Sequence, residues 1–184
     1  MRKQRRDLDS TLRAQGGVQI ADVATASLVS GRSQRLACYL PNDGEVDLTV
    51  LIQRLWNLGH KTYLPVLHGP KLRFLPYEAS TRLAENHFGI PEPEIGAEQR
   101  CRPSQLHTIL MPLVAFDPDG NRLGMGGGYY DQTFAFKRRP RLSVKPRLIG
   151  IAHEFQRVAR LPTNEWDVPL DGILTERKLR LFDR

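Results

Sequence analysis

One nearly unbroken apolar run stands out in the sequence: Thr108-Ile109-Leu110-Met111-Pro112-Leu113-Val114-Ala115-Phe116. A strand that is buried on both faces of a parallel sheet is apolar throughout, whereas a strand with one solvated face alternates between apolar and polar residues. The run therefore predicts a central strand in a sheet that is covered on both sides.

Shorter segments around this run predict the other elements. The further candidate strands are residues 35–40, 61–64, 72–75, 148–152 and 172–174. A helix is predicted by apolar residues that share one helix face, namely Leu48, Leu51, Ile52, Leu55 and Trp56, and Gly59 stands where it would end. Residues 91–103 hold three prolines and predict a loop. Strands that alternate with helical stretches predict an α/β fold with a mainly parallel sheet.

Length and composition restrict the class of protein. The 184 residues predict one domain over 1–184, with a helical segment over 1–32 and an α/β core over 33–184. A chain of this size needs no disulfide or metal to stabilise its core. The apolar content of 40% excludes a disordered chain, and no apolar run approaches the roughly 20 residues of a membrane span.

The first residues and the cysteines predict a cytoplasmic location. The start, Met1-Arg2-Lys3-Gln4-Arg5-Arg6, has no apolar stretch behind it and so does not look like a secretory signal. Two cysteines, Cys38 and Cys101, are too few for a disulfide framework. We therefore expect a cytoplasmic protein that does not enter a membrane.

The positive charge is concentrated in two segments. The chain carries 27 Lys+Arg against 20 Asp+Glu, a net charge of +7. Residues 1–14 contribute +3, residues 137–147 contribute +6, and the rest sums to −2. The second segment is either a solvated loop or a surface that faces an anionic ligand. A basic module that binds nucleic acid is the alternative for the protein as a whole, although no zinc pattern, helix-turn-helix or aromatic-rich recognition strand supports it.

A glycine-rich loop follows the strongest strand. It reads Arg122-Leu123-Gly124-Met125-Gly126-Gly127-Gly128-Tyr129-Tyr130-Asp131. Four glycines in five residues let backbone N–H groups approach an anion, and a helix over 129–136 would add positive charge at its N-terminus. Arg122 suits phosphate oxygens, and Asp131 suits a Mg²⁺ that bridges them. The structural alternative is a tight turn that needs glycine, with Arg122 merely exposed.

Three familiar loops are excluded for this segment. Asp117, Asp119 and Asn121 match the first ligands of a calcium-binding EF loop, but the required glycine and final glutamate are replaced by Arg122 and Gly128. No Gly-Lys-Ser/Thr occurs, which excludes a Walker loop, and the Gly-x-Gly-Gly-Gly spacing differs from the dinucleotide fingerprint.

The segment from Pro112 to Asp131 resembles the signature of the 5-formyltetrahydrofolate cyclo-ligase family, also called methenyltetrahydrofolate synthetase. Further matches in the same order are Leu40, Glu45-Val46-Asp47, Tyr63-Leu64-Pro65, Ile90-Pro91-Glu92-Pro93 and Glu165-Trp166-Asp167-Val168-Pro169. The resemblance covers about residues 33–175. It implies a monomer with a three-layer α/β fold like that of NagB, RpiA and the CoA transferases.

The resemblance also implies a reaction. ATP and Mg²⁺ would drive the ring closure of 5-formyltetrahydrofolate, with or without a polyglutamate tail, to 5,10-methenyltetrahydrofolate. ADP and phosphate would be released after phosphorylation of the formyl oxygen. A related α/β enzyme that binds sugar phosphates or coenzyme A without consuming ATP is the remaining alternative.

Site residues are implied in the same way, position by position. Catalytic roles fall to Arg122 and Tyr129. The ATP positions are Arg122, Leu123, Gly124, Met125, Gly126, Gly127, Gly128, Tyr129 and Tyr130, with Arg2 and Arg6 as substitutes for basic residues of a longer N-terminal helix in other members. The folate positions are Leu40, Glu45, Phe88, Met125, Gly126, Gly127, Gly128 and Tyr129. The Mg²⁺ positions are Asp131 and Asp167.

Three positions depart from the pattern of the family. Phe88 stands where many members have a tryptophan, and it keeps a ring that can stack on the folate. Met125 and Gly127 occupy places that are basic in some members, so Arg122 carries more of the positive charge near the phosphates.

Overall fold

The computed structural model describes residues 1–29, 31–138 and 145–182. Its helices are α1 (Arg2–Arg6), α2 (Ser10–Ser27), α3 (Thr49–Asn57) and α4 (Tyr129–Thr133). Its strands are β1 (Arg35–Ala37), β2 (Lys61–His68), β3 (Lys71–Tyr77), β4 (Leu83–Glu85), β5 (Pro91–Pro93), β6 (Thr108–Pro112), β7 (Ala115–Phe116), β8 (Arg122–Leu123), β9 (Arg147–Ile151), β10 (Gly172–Leu174) and β11 (Leu179–Leu181).

Seven strands form one sheet in the order β11-β10-β9-β6-β1-β2-β3. The five inner strands pair in parallel, and each edge strand pairs antiparallel with its neighbour. The apolar run supplies β6, which is the middle strand of the seven. The predicted α/β fold with a mainly parallel sheet is therefore confirmed.

Both faces of β6 are buried, which explains why its sequence does not alternate with polar residues. Ile109 and Met111 pack on one face against a cluster that includes Phe74 and Phe134. Leu110 points to the other face, into a cluster with the residues of α2 and α3. Successive side chains of a strand point to opposite faces, so only a continuous apolar run satisfies both clusters.

The helix predicted from the 48–56 spacing is confirmed as α3. Its buried face is formed by Leu51, Ile52 and Leu55. The carboxylate of Asp47 accepts hydrogen bonds from the backbone N–H and the hydroxyl of Thr49, at 2.8 and 2.6 Å, and so satisfies the first turn. Together α2 and α3 cover one face of the sheet, while α4 and several loops cover the other.

Several predicted bounds are wrong in an instructive way. The run over 108–116 is not one strand, because β6 ends at Pro112 and the chain then forms the separate β7–β8 hairpin. The strand predicted over 35–40 ends at Ala37, and the loop predicted over 91–103 contains β5. The helix predicted over 129–136 ends at Thr133 and continues as a short 3-10 turn.

Part of the basic segment 137–147 lies outside the described residues, at 139–144. Lys137 Nζ donates to the Asp171 carboxylate at 2.8 Å, and Arg138 Nη1 donates to the carbonyl of Glu165 at 3.2 Å. Both cations therefore bond to other segments of the chain, with Lys137 largely buried and Arg138 exposed. In the described part of the chain no helix is both long and apolar enough to cross a membrane.

Candidate functional site

The glycine loop, residues 124–128, follows the hairpin strand β8 and is exposed along its whole length. Gly126 has φ 93° and Gly128 has φ 60°, which are left-handed conformations that side chains with a Cβ adopt only with strain. No backbone N–H of the loop donates a hydrogen bond within the described chain. These donors are thus available to a ligand, and they matter more because the five residues of α4 contribute little helix dipole.

The hairpin that carries the loop is shaped by a buried carboxylate, Asp117. Its oxygens accept hydrogen bonds from the backbone N–H of Asp119, Asn121 and Leu161 and from the Asn121 side chain, all at 2.9–3.0 Å. Burial raises the pKa of Asp117, but these hydrogen bonds together outweigh burial and leave the pKa below its usual value. The sequence offered only a misleading EF-loop pattern for this residue, whose role is to fix the turn.

Arg122 and Asp131 form an ion pair at the end of the loop. Arg122 Nη2 donates to Asp131 Oδ1 at 2.7 Å, and Nη1 donates to the carbonyl of Val168. The Val168 N–H donates to the same Asp131 oxygen at 2.9 Å. The side chain of Arg122 is only 7% exposed. The structure thus brings Arg122, Asp131 and the segment that contains Asp167 together, as the predicted phosphate and metal site requires.

The two predicted metal ligands keep oxygens that a cation could use. Asp131 Oδ2 and Asp167 Oδ1 make no hydrogen bond within the described residues, while Asp167 Oδ2 accepts from the Asn164 N–H at 2.7 Å. No group of three or more His, Cys, Asp or Glu side chains in the described chain forms a complete metal cage. Mg²⁺ is commonly held by one or two carboxylates together with phosphate oxygens. The donor set fits a Mg²⁺ of that kind.

A cavity of about 230 Å³ opens beside this pair. Its lining comes from the β7–β8 turn and from the segment around Asp167, and consists of Asn121, Arg122, Thr163, Asn164, Asp167, Val168 and Pro169. The cavity is mainly polar and holds one cationic and one anionic side chain.

Glu45 is half-buried and accepts a hydrogen bond from the Asn42 N–H at 3.1 Å. Its pKa is raised to about 7, mainly by burial, although a hydrogen bond from the Asn42 N–H and the charge of Arg5 oppose the shift. Burial, and next the charge of Glu45, raise the pKa of Tyr130, while the charge of Arg122 lowers it. Tyr130 therefore lies within electrostatic reach of both Glu45 and Arg122. Leu40, the other predicted folate position in this segment, packs at the border of the core.

The N-terminal arginines converge on Asp43 instead of reaching the loop. Arg2 Nε and Arg6 Nη1 donate to the Asp43 carboxylate at 2.8 and 3.2 Å. Hydrogen bonding by Arg2, reinforced by the neighbouring guanidinium groups, lowers the pKa of Asp43 to about 2. Both arginines thus lie next to the turn that carries Glu45, and their contact with a nucleotide stays a prediction.

Arg5 was missed by the sequence analysis. It is buried, and its guanidinium donates to the carboxylate and carbonyl of Asp43 at 3.0 and 2.9 Å and to the carbonyl of Leu113 at 3.0 Å. It anchors α1 to the end of the β6 segment. No local signal marks it, because its partners lie 38 and 108 positions away.

Phe88 and Met125 are exposed, at 57% and 53%. Phe88 lies at the tip of the β4–β5 hairpin against His87, with ring centroids 3.9 Å apart. No hydrogen bond or ring contact among the described residues joins Phe88 to the glycine loop. Tyr129 is half-buried and packs with Tyr130 on the core cluster around Phe134.

Comparisons with known proteins agree with one another. The model of the 5-formyltetrahydrofolate cyclo-ligase family matches residues 1–176. The chain is 37% identical over 182 residues to the 5-formyltetrahydrofolate cyclo-ligase of Escherichia coli K12, covering 97% of this chain and 98% of that one. It is 38% identical over 177 residues to the Haemophilus influenzae protein of the same name, covering 95% and 92%.

Solved structures give the same result. The NMR structure of Aquifex aeolicus 5,10-methenyltetrahydrofolate synthetase matches with a TM-score of 0.83 at 31% identity, covering 100% of this chain and 89% of that chain. The Mycoplasma pneumoniae 5,10-methenyltetrahydrofolate synthetase matches with a TM-score of 0.73 at 25% identity, covering 95% and 93%.

Proposed function

Because the chain belongs to the 5-formyltetrahydrofolate cyclo-ligase family, we propose that it converts 5-formyltetrahydrofolate to 5,10-methenyltetrahydrofolate with consumption of ATP. The observation that carries the ATP dependence is the Arg122–Asp131 pair beside an exposed glycine loop whose N–H groups donate no hydrogen bond within the described residues. Together these groups offer what a polyphosphate with a divalent cation needs: backbone donors, one guanidinium and carboxylate oxygens.

The chemical problem is that a formyl oxygen is a poor leaving group. Transfer of the γ-phosphoryl group to that oxygen converts it to a phosphate ester and releases ADP. N10 then attacks the formyl carbon, the carbon–oxygen bond breaks, phosphate departs and N10 gives up its proton. Phosphoryl transfer depends mainly on positioning and on electrostatic stabilisation.

The glycine loop and Arg122 supply the positive potential for this transfer. The N–H groups of residues 124–128 can bind the phosphate oxygens directly, since the glycines have no Cβ that would obstruct the approach. Arg122 offsets the charge that spreads over the transferring group. Asp131 and Asp167 are the residues that would hold Mg²⁺, which neutralises phosphate charge when bound.

We infer that Glu45 contributes to the folate site. A carboxylate accepts hydrogen bonds from an N–H edge such as that of the pterin, and Glu45 is a half-buried carboxyl group within electrostatic reach of Tyr130. Tyr129 begins α4 directly after the glycine loop, and it is the residue that would contact both the folate and the phosphates. The formyl oxygen would thus face the glycine loop.

The test is release of ADP by the purified protein with 5-formyltetrahydrofolate, ATP and Mg²⁺. We expect ADP and the methenyl product in equal amounts, and no ADP when the folate is left out. Folded protein that releases no ADP under these conditions refutes the proposal. The Arg54→Ala variant is a suitable control, because Arg54 pairs with Asp22 on the surface, away from the site.

A further inference from the structure

The tip of the β4–β5 hairpin, which carries Phe88, is held by a chain of hydrogen bonds. Asn86 Oδ1 accepts from the backbone N–H of Phe88 and of Ile90, at 2.9 and 3.1 Å. Asn86 Nδ2 donates to Glu92 Oε1 at 2.8 Å, and the same oxygen accepts from the backbone N–H of Leu67 at 3.0 Å. Glu92 therefore joins the Phe88 tip to strand β2.

Helix α4 is attached to the neighbouring strand, β3, by a buried hydroxyl group. Thr133 Oγ1 donates to the carbonyl of Tyr129 at 2.6 Å within the helix, and it accepts from the backbone N–H of Leu72 at 2.8 Å. Strand β3 is the edge of the sheet, so this N–H has no further strand to pair with. Because α4 directly follows the glycine loop, Thr133 fixes the helix that begins at Tyr129.

The two attachments start from one pair of residues. Leu67 and Leu72 lie directly opposite each other in the β2–β3 ladder. Opposite residues of an antiparallel pair exchange either two hydrogen bonds or none, and in the second case their Cα atoms are about 4.5 Å apart. Since these two N–H groups donate to Glu92 and Thr133, the pair is of the second kind, and the groups point to opposite sides of the hairpin.

We propose that Glu92 and Thr133 are positioning residues, which use the β2–β3 hairpin as a spacer of fixed width between Phe88 and the glycine loop. The inference rests on the proposed function, in which Phe88 contacts the folate and the loop contacts the phosphates. Glu92 sets the place of the folate ring, and Thr133 sets the place of Tyr129 and the loop. Their common base keeps the formyl oxygen within reach of the γ-phosphate, and a misplacement of about 1 Å can lower such a rate about 100-fold.

Variants of Glu92 test the attachment of the Phe88 tip. Glu92→Met removes the acceptor and keeps a side chain of similar length, so the KM for the folate should rise about tenfold and the KM for ATP less than about twofold. Glu92→Gln keeps an acceptor oxygen and should restore most of the loss. Glu94→Met is the matched control, because Glu94 is exposed and its side chain makes no hydrogen bond within the described residues. An unchanged folate KM in Glu92→Met, or an equal rise in Glu94→Met, overturns the role of Glu92.

A double-mutant cycle with Phe88 separates positioning from a general loss of stability. Because Glu92 acts through Phe88, the folate KM of the Phe88→Ala variant should rise no further when Glu92→Met is added. Additive effects of the two changes contradict the inference. So does a folate KM that Phe88→Ala leaves unchanged.

Variants of Thr133 test the attachment of α4. Thr133→Val keeps the shape of the side chain and removes both hydrogen bonds, so kcat/KM for ATP should fall about tenfold, and Thr133→Ser should recover most of it. Thr25→Val is the matched control, because the Thr25 hydroxyl bonds in the same way to the carbonyl of Ala21 but joins α2 to no strand of the described structure. Equal kcat/KM in the Thr133→Val and Thr25→Val variants overturns the role of Thr133.

Amide hydrogen exchange of the protein without ligands tests the attachments apart from the reaction. Glu92→Met should speed exchange in residues 86–90 and leave residues 129–133 unchanged, and Thr133→Val should do the reverse. Unchanged exchange in both segments overturns the inference. If Glu92→Met does not fold, Glu92→Asp takes its place, because it keeps the charge but is one methylene shorter. Normal ADP release with unaltered kinetics in the variants refutes the inference alone, whereas absence of ADP release by the unmodified protein refutes the proposed reaction.

Discussion

Arg122 and Asp131 share one oxygen–nitrogen contact of 2.7 Å, and the backbone of Val168 bonds to both partners. The two ends of the glycine loop are thus joined at the start of α4 to a segment 37 or more residues further along the chain. A bound phosphate would compete with Asp131 for Arg122, and a bound cation would compete with Arg122 for Asp131. A nucleotide would bind Arg122 and a cation would bind Asp131. Before they bind, the ion pair keeps both side chains in position.

Replacement of Arg122 tests its role toward the phosphates. Arg122→Ala should lower kcat/KM for ATP about 100-fold or more, because a buried cation near the transferring group is lost. Arg122→Lys keeps the charge without the planar fork and should recover only part of the rate. Initial rates of ADP release at limiting ATP measure both effects, with Arg54→Ala as the control. Unchanged kinetics at limiting ATP would show that Arg122 has a purely structural role.

Replacement of Asp131 tests the cation site. Asp131→Asn keeps an oxygen for the Val168 N–H but removes the charge, so a higher Mg²⁺ concentration should be needed for half-maximal ADP release. The matched control is Asp22→Asn, which breaks a surface pair with Arg54. Superimposable Mg²⁺ titrations of Asp131→Asn and the unmodified protein would rule out a ligand role for this carboxylate.

The buried Arg5 should matter for stability and the exposed Arg2 should not. Arg5→Met removes two hydrogen bonds to Asp43 and the donor to Leu113, so we expect a loss of about 3 kcal/mol in the free energy of unfolding. Arg2→Met removes a solvent-exposed pair and should cost less than about 1 kcal/mol. Urea unfolding of both variants measures the contrast, and equal midpoints would contradict it.

Local pattern was enough to predict the parts of the fold that have a strict period. The buried strand β6 and the helix α3 follow from apolar spacing, and the glycine loop follows from residues that permit unusual backbone conformations. The break after Pro112 was not predicted, because apolar composition does not tell where a strand leaves the sheet. Pairing partners decide that point, and they lie elsewhere in the chain.

The residues of the candidate site also fall into those that the sequence predicts and those that it does not. The family motif predicts Arg122, Asp131, Asp167 and Glu45 as site residues, and the structure joins Arg122 and Asp131 to each other and to the backbone of Val168. The bonds of Asp117 to Leu161 and of Arg5 to Asp43 span 44 and 38 residues. Such contacts have no sequence period, so they could only be found in the folded chain.

Two histidines at the amino end of β1 predict a pH dependence of stability. His60 Nδ1 and His107 Nδ1 accept hydrogen bonds from the backbone N–H of Gln34 and Arg35, both at 3.0 Å. Burial, and for His107 also nearby cations, lower the pKa of both rings. The folded state therefore binds fewer protons than the unfolded state, and stability should fall as the pH drops below about 6.5.

The His60→Asn variant checks the cause of that loss, since an amide oxygen can accept the Gln34 bond but does not titrate. Its free energy of unfolding, measured with urea between pH 7.5 and 5.5, should fall less steeply than that of the unmodified protein. The difference cannot exceed about 1.4 kcal/mol for each pH unit, the limit for one proton. Parallel pH profiles would show that His60 does not contribute.

The pKa of Glu45 predicts that folate binding depends on pH. Its shift is opposite in direction to that of the two histidines. Burial raises its pKa to about 7, so in the free protein the carboxyl group is largely protonated at pH 6 and ionised at pH 8. Only the ionised form can accept two hydrogen bonds from the N–H edge of a pterin, and hence kcat/KM for the folate should rise through pH 7.

Glu45→Gln fixes the side chain in a neutral form with one acceptor oxygen. We expect it to lower kcat/KM about tenfold at pH 8, through the loss of a charge-assisted hydrogen bond, and to remove the inflection near pH 7. Kinetics at saturating ATP between pH 6 and 8 measure both effects, and an inflection that persists in Glu45→Gln would assign the titration to another group.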